Sequence, residues 1–153
     1  MAVKPIPDGY HSVTPYLTID GAAQAIEFYK KAFDAVELFR MPMPDGKVGH
    51  AEIRIGNSMV MLGEQCPEMG TRAPQGSSPV GMLIYVEDVD ALAKQAVAAG
   101  AKEVQPVKDQ MWGDRMGKFT DPYGHQWSLA THIEDVTPEE VNARFEKMMK
   151  QAG

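Results

Sequence analysis

The side chains best equipped for chemistry in this chain are few, and two of them stand close together. His50 and Glu52 lie two apart in Val48-Gly49-His50-Ala51-Glu52-Ile53-Arg54-Ile55. On an extended strand this spacing puts both on one face with Arg54, while Ala51, Ile53 and Ile55 occupy the other. A His-x-Glu pair can work as a general acid/base couple, with the carboxylate orienting or charging the imidazole. It can supply two ligands to a metal ion, or it can be a polar strand face bonded across the sheet. A second grouping is Trp112-Gly113-Asp114-Arg115. Trp112 and Arg115 read either as an aromatic platform and a guanidinium over a cavity, suited to an anionic or carbonyl-bearing ligand, or as structure. In the structural reading Arg115 pairs with Asp114 or Asp121 and Trp112 covers the core. His125 sits in a turn and reads as structural. His11 and His132 have no partner adjacent in sequence. Cys66, the lone cysteine, lies beside Glu64 and Glu68, which disfavour a thiolate nucleophile.

These residues must be placed by secondary structure, and the sequence outlines it twice. Val13–Ile19 alternates as a strand, with Pro15 suited to an edge. Asp20 is placed to cap a helix over about 21–33, where Ala22, Ala25, Ile26, Tyr29 and Phe33 recur at helical spacing. Strands follow at Val36–Met43 and Lys47–Ile55 around Pro44-Asp45-Gly46. A Gly56-Asn57 turn of type II′ leads into Ser58–Gly63. If Ile55 opposes Ser58, then Arg54 opposes Met59 and Glu52 opposes Met61. After a loop rich in Gly, Pro and Ser the order restarts. A strand spans Met82–Val86, and Asp88 caps a helix with Val89, Leu92, Ala93, Ala96 and Val97 inward, ending at Gly100. Strands near Glu103–Pro106, Met116–Asp121 and Gln126–Thr131 complete it. Ile19 falls on Val86 at an offset of 67 residues, too long a period for a solenoid, whose repeats run roughly 20–50 residues. Thr137-Pro138-Glu139-Glu140 opens a last helix with a capping box. Its stripe of Val141, Phe145 and Met148 must bury against the body or a second subunit.

The helix Ile26-Glu27-Phe28-Tyr29-Lys30-Lys31-Ala32-Phe33, the entry Val86-Glu87-Asp88-Val89-Asp90 and the turn Asp121-Pro122-Tyr123-Gly124-His125 resemble those of the vicinal oxygen chelate superfamily (glyoxalase, bleomycin-resistance and dioxygenase-like proteins). Met41-Pro42-Met43-Pro44-Asp45-Gly46-Lys47 and Trp112–Arg115 look like its PhnB-like group. The resemblance implies an α+β fold: two β-α-β-β-β modules form a curved mixed sheet around a cavity, and a C-terminal helix follows. It implies a single domain over about 1–135, with module one at about 10–66, module two at about 80–132, and the helix at 136–153. In metal-dependent members one ligand comes from the first and one from the fourth strand of each module. Carried over, these positions are Thr14, Met61, Gly81 and Ser128. None is His, Glu or Asp, so neither a metal nor any other cofactor is expected. Met61 would then face the cavity with His50 and Glu52, and Tyr85 would join it by parity with Gly81. Met41 with Met43 and Met59 with Met61 share strand parity, and they read either as a soft apolar cavity wall or as plain core packing. The expected ligand site is Thr14, His50, Glu52, Met61, Tyr85, Trp112, Arg115 and Ser128.

Composition narrows the alternatives. The 153 residues suit one domain, and 44% hydrophobic with 24% charged residues excludes a disordered chain. A net charge of −6 without a basic stripe argues against nucleic acid as a partner. No apolar run is long enough to span a membrane, and the single cysteine and the absence of an apolar leader suit a cytoplasmic protein. The expectation is a homodimer that binds or sequesters a small apolar or carbonyl-bearing molecule. The alternative is an isomerase, lyase or dioxygenase-type enzyme using His50 and Glu52, with or without a displaced metal.

Overall fold

Alternating burial along the strands separates a face that carries the core from one that does not. The computed structural model describes residues 2–153. Module one comprises β1 (Tyr16–Ile19), α1 (Ala22–Phe33), β2 (Val36–Pro42), β3 (Val48–Ile55) and β4 (Ser58–Glu64). Module two repeats the order as β5 (Gly81–Tyr85), α2 (Val89–Ala99), β6 (Lys102–Asp109), β7 (Asp114–Thr120) and β8 (Gln126–His132), and α3 (Pro138–Ala152) ends the chain. The sheets run β1-β4-β3-β2 and β5-β8-β7-β6. In each, the first and last strands of the module pair in parallel and the other pairs are antiparallel. The fold is α+β, two β-α-β-β-β modules with a C-terminal helix.

The hairpin register is the one the turn requires. Gly56 takes a φ of 57° while Asn57 stays at negative φ, the combination a type II′ turn uses. Ile55 pairs with Ser58, Arg54 with Met59 and Glu52 with Met61. Ala51, Ile53, Ile55, Val60 and Leu62 therefore point into the core under α1, and their neighbours on the strands face away from it.

The two modules are joined through α1. Its Tyr29 and Phe33 rings lie 5.5 and 4.8 Å from the ring of Trp127 on β8. The Tyr29 hydroxyl donates to Asp121 at 2.6 Å, and Gln95 of α2 donates to the carbonyls of Lys31 and Ala32 at the end of α1. Asp121 also accepts from Trp127 Nε1 at 2.9 Å and, through its other oxygen, from the backbone N–H groups of Tyr123 and His125. The Asp-Pro-Tyr-Gly-His turn thus folds around its own aspartate and presents it to the helix of the other module.

Two local expectations need correction, and a third, left open between two alternatives, is narrowed. Asp20 does not cap α1. The first residue of the cap is Gly21, and the carboxylate of Glu64 on β4 takes the N–H groups of Gly21 and Ala22 at 3.0 and 2.9 Å. An acidic group from the neighbouring strand therefore does what a preceding side chain would otherwise do. Val97, placed inward by helical spacing, is 46% exposed, because it lies at the rim of the α2 stripe where the sheet no longer covers it. The stripe of α3 is not buried by the body: no residue of α3 is buried, and Phe145 and Met148 remain exposed. Arg144 tethers this helix, reaching Glu134, Glu140 and the carbonyl of Met111. Thr137 and Asp88 do cap α3 and α2. No helix among the described residues is long and apolar enough to cross a membrane.

Candidate functional site

Each sheet leaves its second face uncovered, and the polar residues of interest in module one gather there. His50 and Glu52 project from β3 on the side away from α1, with Met61 directly across from Glu52 on β4. Across β2, Met41 pairs with His50 and Phe39 with Glu52. Tyr16 at 51%, Phe39 at 49% and Met41 at 49% exposure make this face apolar as well as open. His50 is held by two neighbours. Its Nδ1 lies 3.0 Å from the Tyr16 hydroxyl and its Nε2 lies 3.5 Å from Glu52 Oε1. The second distance is at the outer limit of a hydrogen bond, so Tyr16 and not Glu52 is the stronger partner. The rings of Tyr16 and Phe39 stand 5.5 and 6.2 Å from the imidazole. Tyr10, from the segment before β1, adds a buried hydroxyl, whose pKa is pushed up to about 12 by burial first and by Glu52 second.

The same face runs into a cavity of about 860 Å³ between the modules. Arg54 and Met59, the next outward residues on β3 and β4, form its near wall. Met82, Leu83, Ile84 and Tyr85 of β5 form the far wall, with Phe33 and Trp127 at its floor and Thr14 and His11 at its edge. This volume is within the range of small-molecule sites. His50, Glu52 and Met61 stand beside this cavity and do not line it. A second cavity of about 550 Å³ lies at the other end of β1, beside Arg72 and His125. His125 is buried and its Nε2 meets the carbonyl of Thr18 at 3.1 Å, a structural placement.

Module two holds a cluster that sequence spacing does not reveal. Asp114, 3% exposed, accepts from the Tyr85 hydroxyl at 2.9 Å and Trp112 Nε1 at 3.1 Å through Oδ2. Its Oδ1 lies 2.8 Å from His132 Nδ1, and His132 Nε2 lies 2.8 Å from Asp135. Burial alone would raise the carboxyl pKa of Asp114, but the bonds from His132, Tyr85 and Trp112 outweigh it and hold it below the ordinary value. The bond to Asp114, reinforced by Asp135, raises the pKa of His132. The signal for this cluster was available in the turn after β7: with Thr120 opposite Gln126, the pairing runs outward to Asp114 opposite His132. Tyr85 is still 60% exposed; its hydroxyl is engaged while its ring faces the cavity.

Arg115 falls on the other side of the sheet. Its guanidinium binds Asp90 of α2 at 2.7 and 2.8 Å and Asp109 at 3.0 Å, which keeps it firmly charged. It is thus an ion-pair residue away from the cavity, and its carboxylate partners are neither Asp114 nor Asp121. Strand alternation explains this: Asp114 and Met116 share the open face, so Arg115 between them must face α2. Ser128 opposes Leu83 on β5 and Lys118 on β7, on the open face of module two.

The four positions that would carry a metal offer a Thr hydroxyl, a Met thioether, a glycine without a side chain and a Ser hydroxyl. Divalent ions of the relevant kind want imidazole or carboxylate donors, so this set does not fit one. Among the described residues no group of three or more His, Cys, Asp or Glu side chains is arranged to hold an ion.

Comparison with known proteins agrees with this architecture. A family model described as Glyoxalase/Bleomycin resistance protein/Dioxygenase superfamily matches residues 10–129. An uncharacterized protein of Mycobacterium tuberculosis (strain ATCC 25618 / H37Rv) is 46% identical over 137 residues, covering 86% of this chain and 81% of that protein. The crystal structure of TioX from Micromonospora sp. ML1 is similar with a TM-score of 0.66 and 27% identity, over 80% of this chain and 99% of TioX. A PhnB protein from Bacillus cereus, described as a putative 3-demethylubiquinone-9 3-methyltransferase, shares the fold at a TM-score of 0.59 and 21% identity, over 79% of this chain and 99% of that one.

Proposed function

Since the chain belongs to the glyoxalase/bleomycin resistance protein/dioxygenase superfamily, we propose that it binds or sequesters a small apolar or carbonyl-bearing molecule and needs no metal to do so. The observation that carries this reading is the cavity of about 860 Å³ between the modules, continuous with the open face of β3 and β4. Its apolar walls give affinity by burial, and Tyr85, Arg54 and Thr14 supply a few polar contacts at its edge. The test is a titration of the purified protein with Nile red, followed by displacement with small apolar ketones and aldehydes. Saturable dye binding that Met59→Glu abolishes supports the reading; absence of saturable binding overturns it. Trp112, Ser128, Met61, His50 and Glu52 belong to the open faces from which a bound molecule would be contacted next.

One arrangement favours a second reading, in which the site is an isomerase, lyase or dioxygenase-type centre. The Tyr16–His50–Glu52 chain gives an imidazole with both nitrogens approached by polar groups, a sound start for proton transfer. Metal analysis discriminates the two: stoichiometric zinc, nickel or iron that His50→Ala removes supports the second.

We further propose that the working form is a cytoplasmic homodimer. Exposed apolar residues on both open faces, and Phe145, Met148 and Met149 on α3, form surfaces that a second copy of the chain could cover. Light scattering that gives the mass of one chain at micromolar concentration would refute this.

A further inference from the structure

Of the five arginines in the chain, three are held by carboxylates: Arg40 by Glu37, Arg115 by Asp90 and Asp109, and Arg144 by Glu134 and Glu140. Arg54 and Arg72 have no ion-pair or hydrogen-bond partner among the described residues, and each lines one of the two cavities. For Arg54 the strand register explains this. Its neighbours across β2 and β4 are Val36 and Met59, which line the same cavity and offer it no anion. Glu52, two residues back on the same face, approaches His50 instead. Asp34, the one carboxylate on the cavity wall, stands at the end of α1 and accepts from Gln95 Nε2 at 3.1 Å; it forms no bridge to Arg54. Tyr85 and Ser58 of the same wall spend their hydroxyl protons on Asp114 and Asn57. A guanidinium carries planar, forked N–H donors that match the two oxygens of a carboxylate, and it is weakly hydrated. Here such a fork stands on the wall of an apolar cavity with its donors uncommitted.

We propose that Arg54 makes the cavity between the modules selective for small apolar carboxylates. The guanidinium takes the carboxylate at the near wall, and the apolar body of the ligand extends toward Leu83 and Ile84 on the far wall, over Phe33 and Trp127. A neutral ketone or aldehyde uses one of the fork's donors and gains no charge attraction, so it binds more weakly. The chain as a whole carries a net charge of −6, which disfavours anions at long range. A preference for an anion over its neutral counterpart therefore reports a local cation. This inference rests on the binding reading above and adds to it the charged group that confers choice.

The test displaces Nile red from the full chain with two probes of one shape, naphthoate and its neutral ketone counterpart acetylnaphthalene. Naphthoate should bind about three- to tenfold more tightly at low salt, and the advantage should shrink at about 0.5 M sodium chloride. Arg54→Met should bring the ratio of the two affinities to one or below, and Arg54→Lys should keep part of it. Arg72→Met, at the second cavity, should leave the ratio as it was. Arg54 is exposed, so unchanged circular dichroism is expected for its variants, and the comparison of probes on the unaltered chain stands without them. Naphthoate that displaces the dye no better than the ketone overturns the proposal and leaves the cavity reading standing. So does an advantage that survives Arg54→Met, or one that Arg72→Met removes instead. If Nile red itself shows no saturable binding, both readings fall.

Discussion

Replacing Asp121 by alanine should loosen the joint between the modules. Two of its four bonds come from core groups that have nowhere else to go. Tyr29 is fully buried and Trp127 is 2% exposed, and both donate to Asp121 Oδ2, at 2.6 and 2.9 Å. A buried donor stripped of its acceptor costs about 1–3 kcal/mol. Two such donors give about 2–6 kcal/mol, and local relaxation moves the expectation toward the lower half of that range. The turn loses two further bonds, to the N–H groups of Tyr123 and His125, of which the Tyr123 group is only partly buried. For a chain of this size about 3 kcal/mol lowers the melting temperature by roughly 6–12 °C. The assay is urea unfolding followed by circular dichroism, with a thermal melt as check. Tyr29→Phe removes one donor and leaves Asp121 with three, so it should cost far less, and the double variant should cost less than the sum. Phe33 and Trp127 also floor the cavity, so Asp121→Ala should weaken Nile red binding as well. A loss of less than about 1 kcal/mol in Asp121→Ala would refute the reasoning, because the core donors would then have found other partners.

Glu64→Ala should destabilise the protein by about 1–2 kcal/mol, the usual value of a helix cap, since it strips two N–H groups at the start of α1; Glu64→Gln, which keeps one acceptor, should cost less in the same urea experiment. His132 has a raised pKa, so its contribution is complete below its unfolded value of 6.5 and fades as pH climbs through the higher folded value. Asp114→Asn should flatten that decline in unfolding midpoints measured from about pH 5 to 9, and a profile identical to the parent would contradict the assignment. Gly63→Ala places a methyl 2.6 Å from the carbonyl oxygen of Gly49 on the next strand. Backbone must move there, and a loss of about 1–3 kcal/mol is expected from the urea midpoint.

Much of the scaffold is legible in the residues taken in order. Strand alternation, the Gly56-Asn57 turn and the caps Asp88 and Thr137 depend on neighbours within a few positions, so they follow from local preference and pattern. The register of β3 on β4, and with it the placement of His50 and Glu52 on one face with Met61, follows from a single turn. Alternation likewise settles that Arg115 cannot share a face with Asp114, although which carboxylates it meets depends on where α2 lies. What the sequence leaves open are the contacts made across long separations. Glu64 displaces Asp20 as the cap of α1 because β4 pairs in parallel with β1 and ends beside the helix start. Asp121 is a core acceptor because α1 of the first module packs on β8 of the second. The cavity opens between modules and not within one sheet for the same kind of reason. Local pattern determines which residues share a strand face; only packing across long separations, of strand on helix within a module and of one module on the other, decides which of those faces, and which polar atoms, meet.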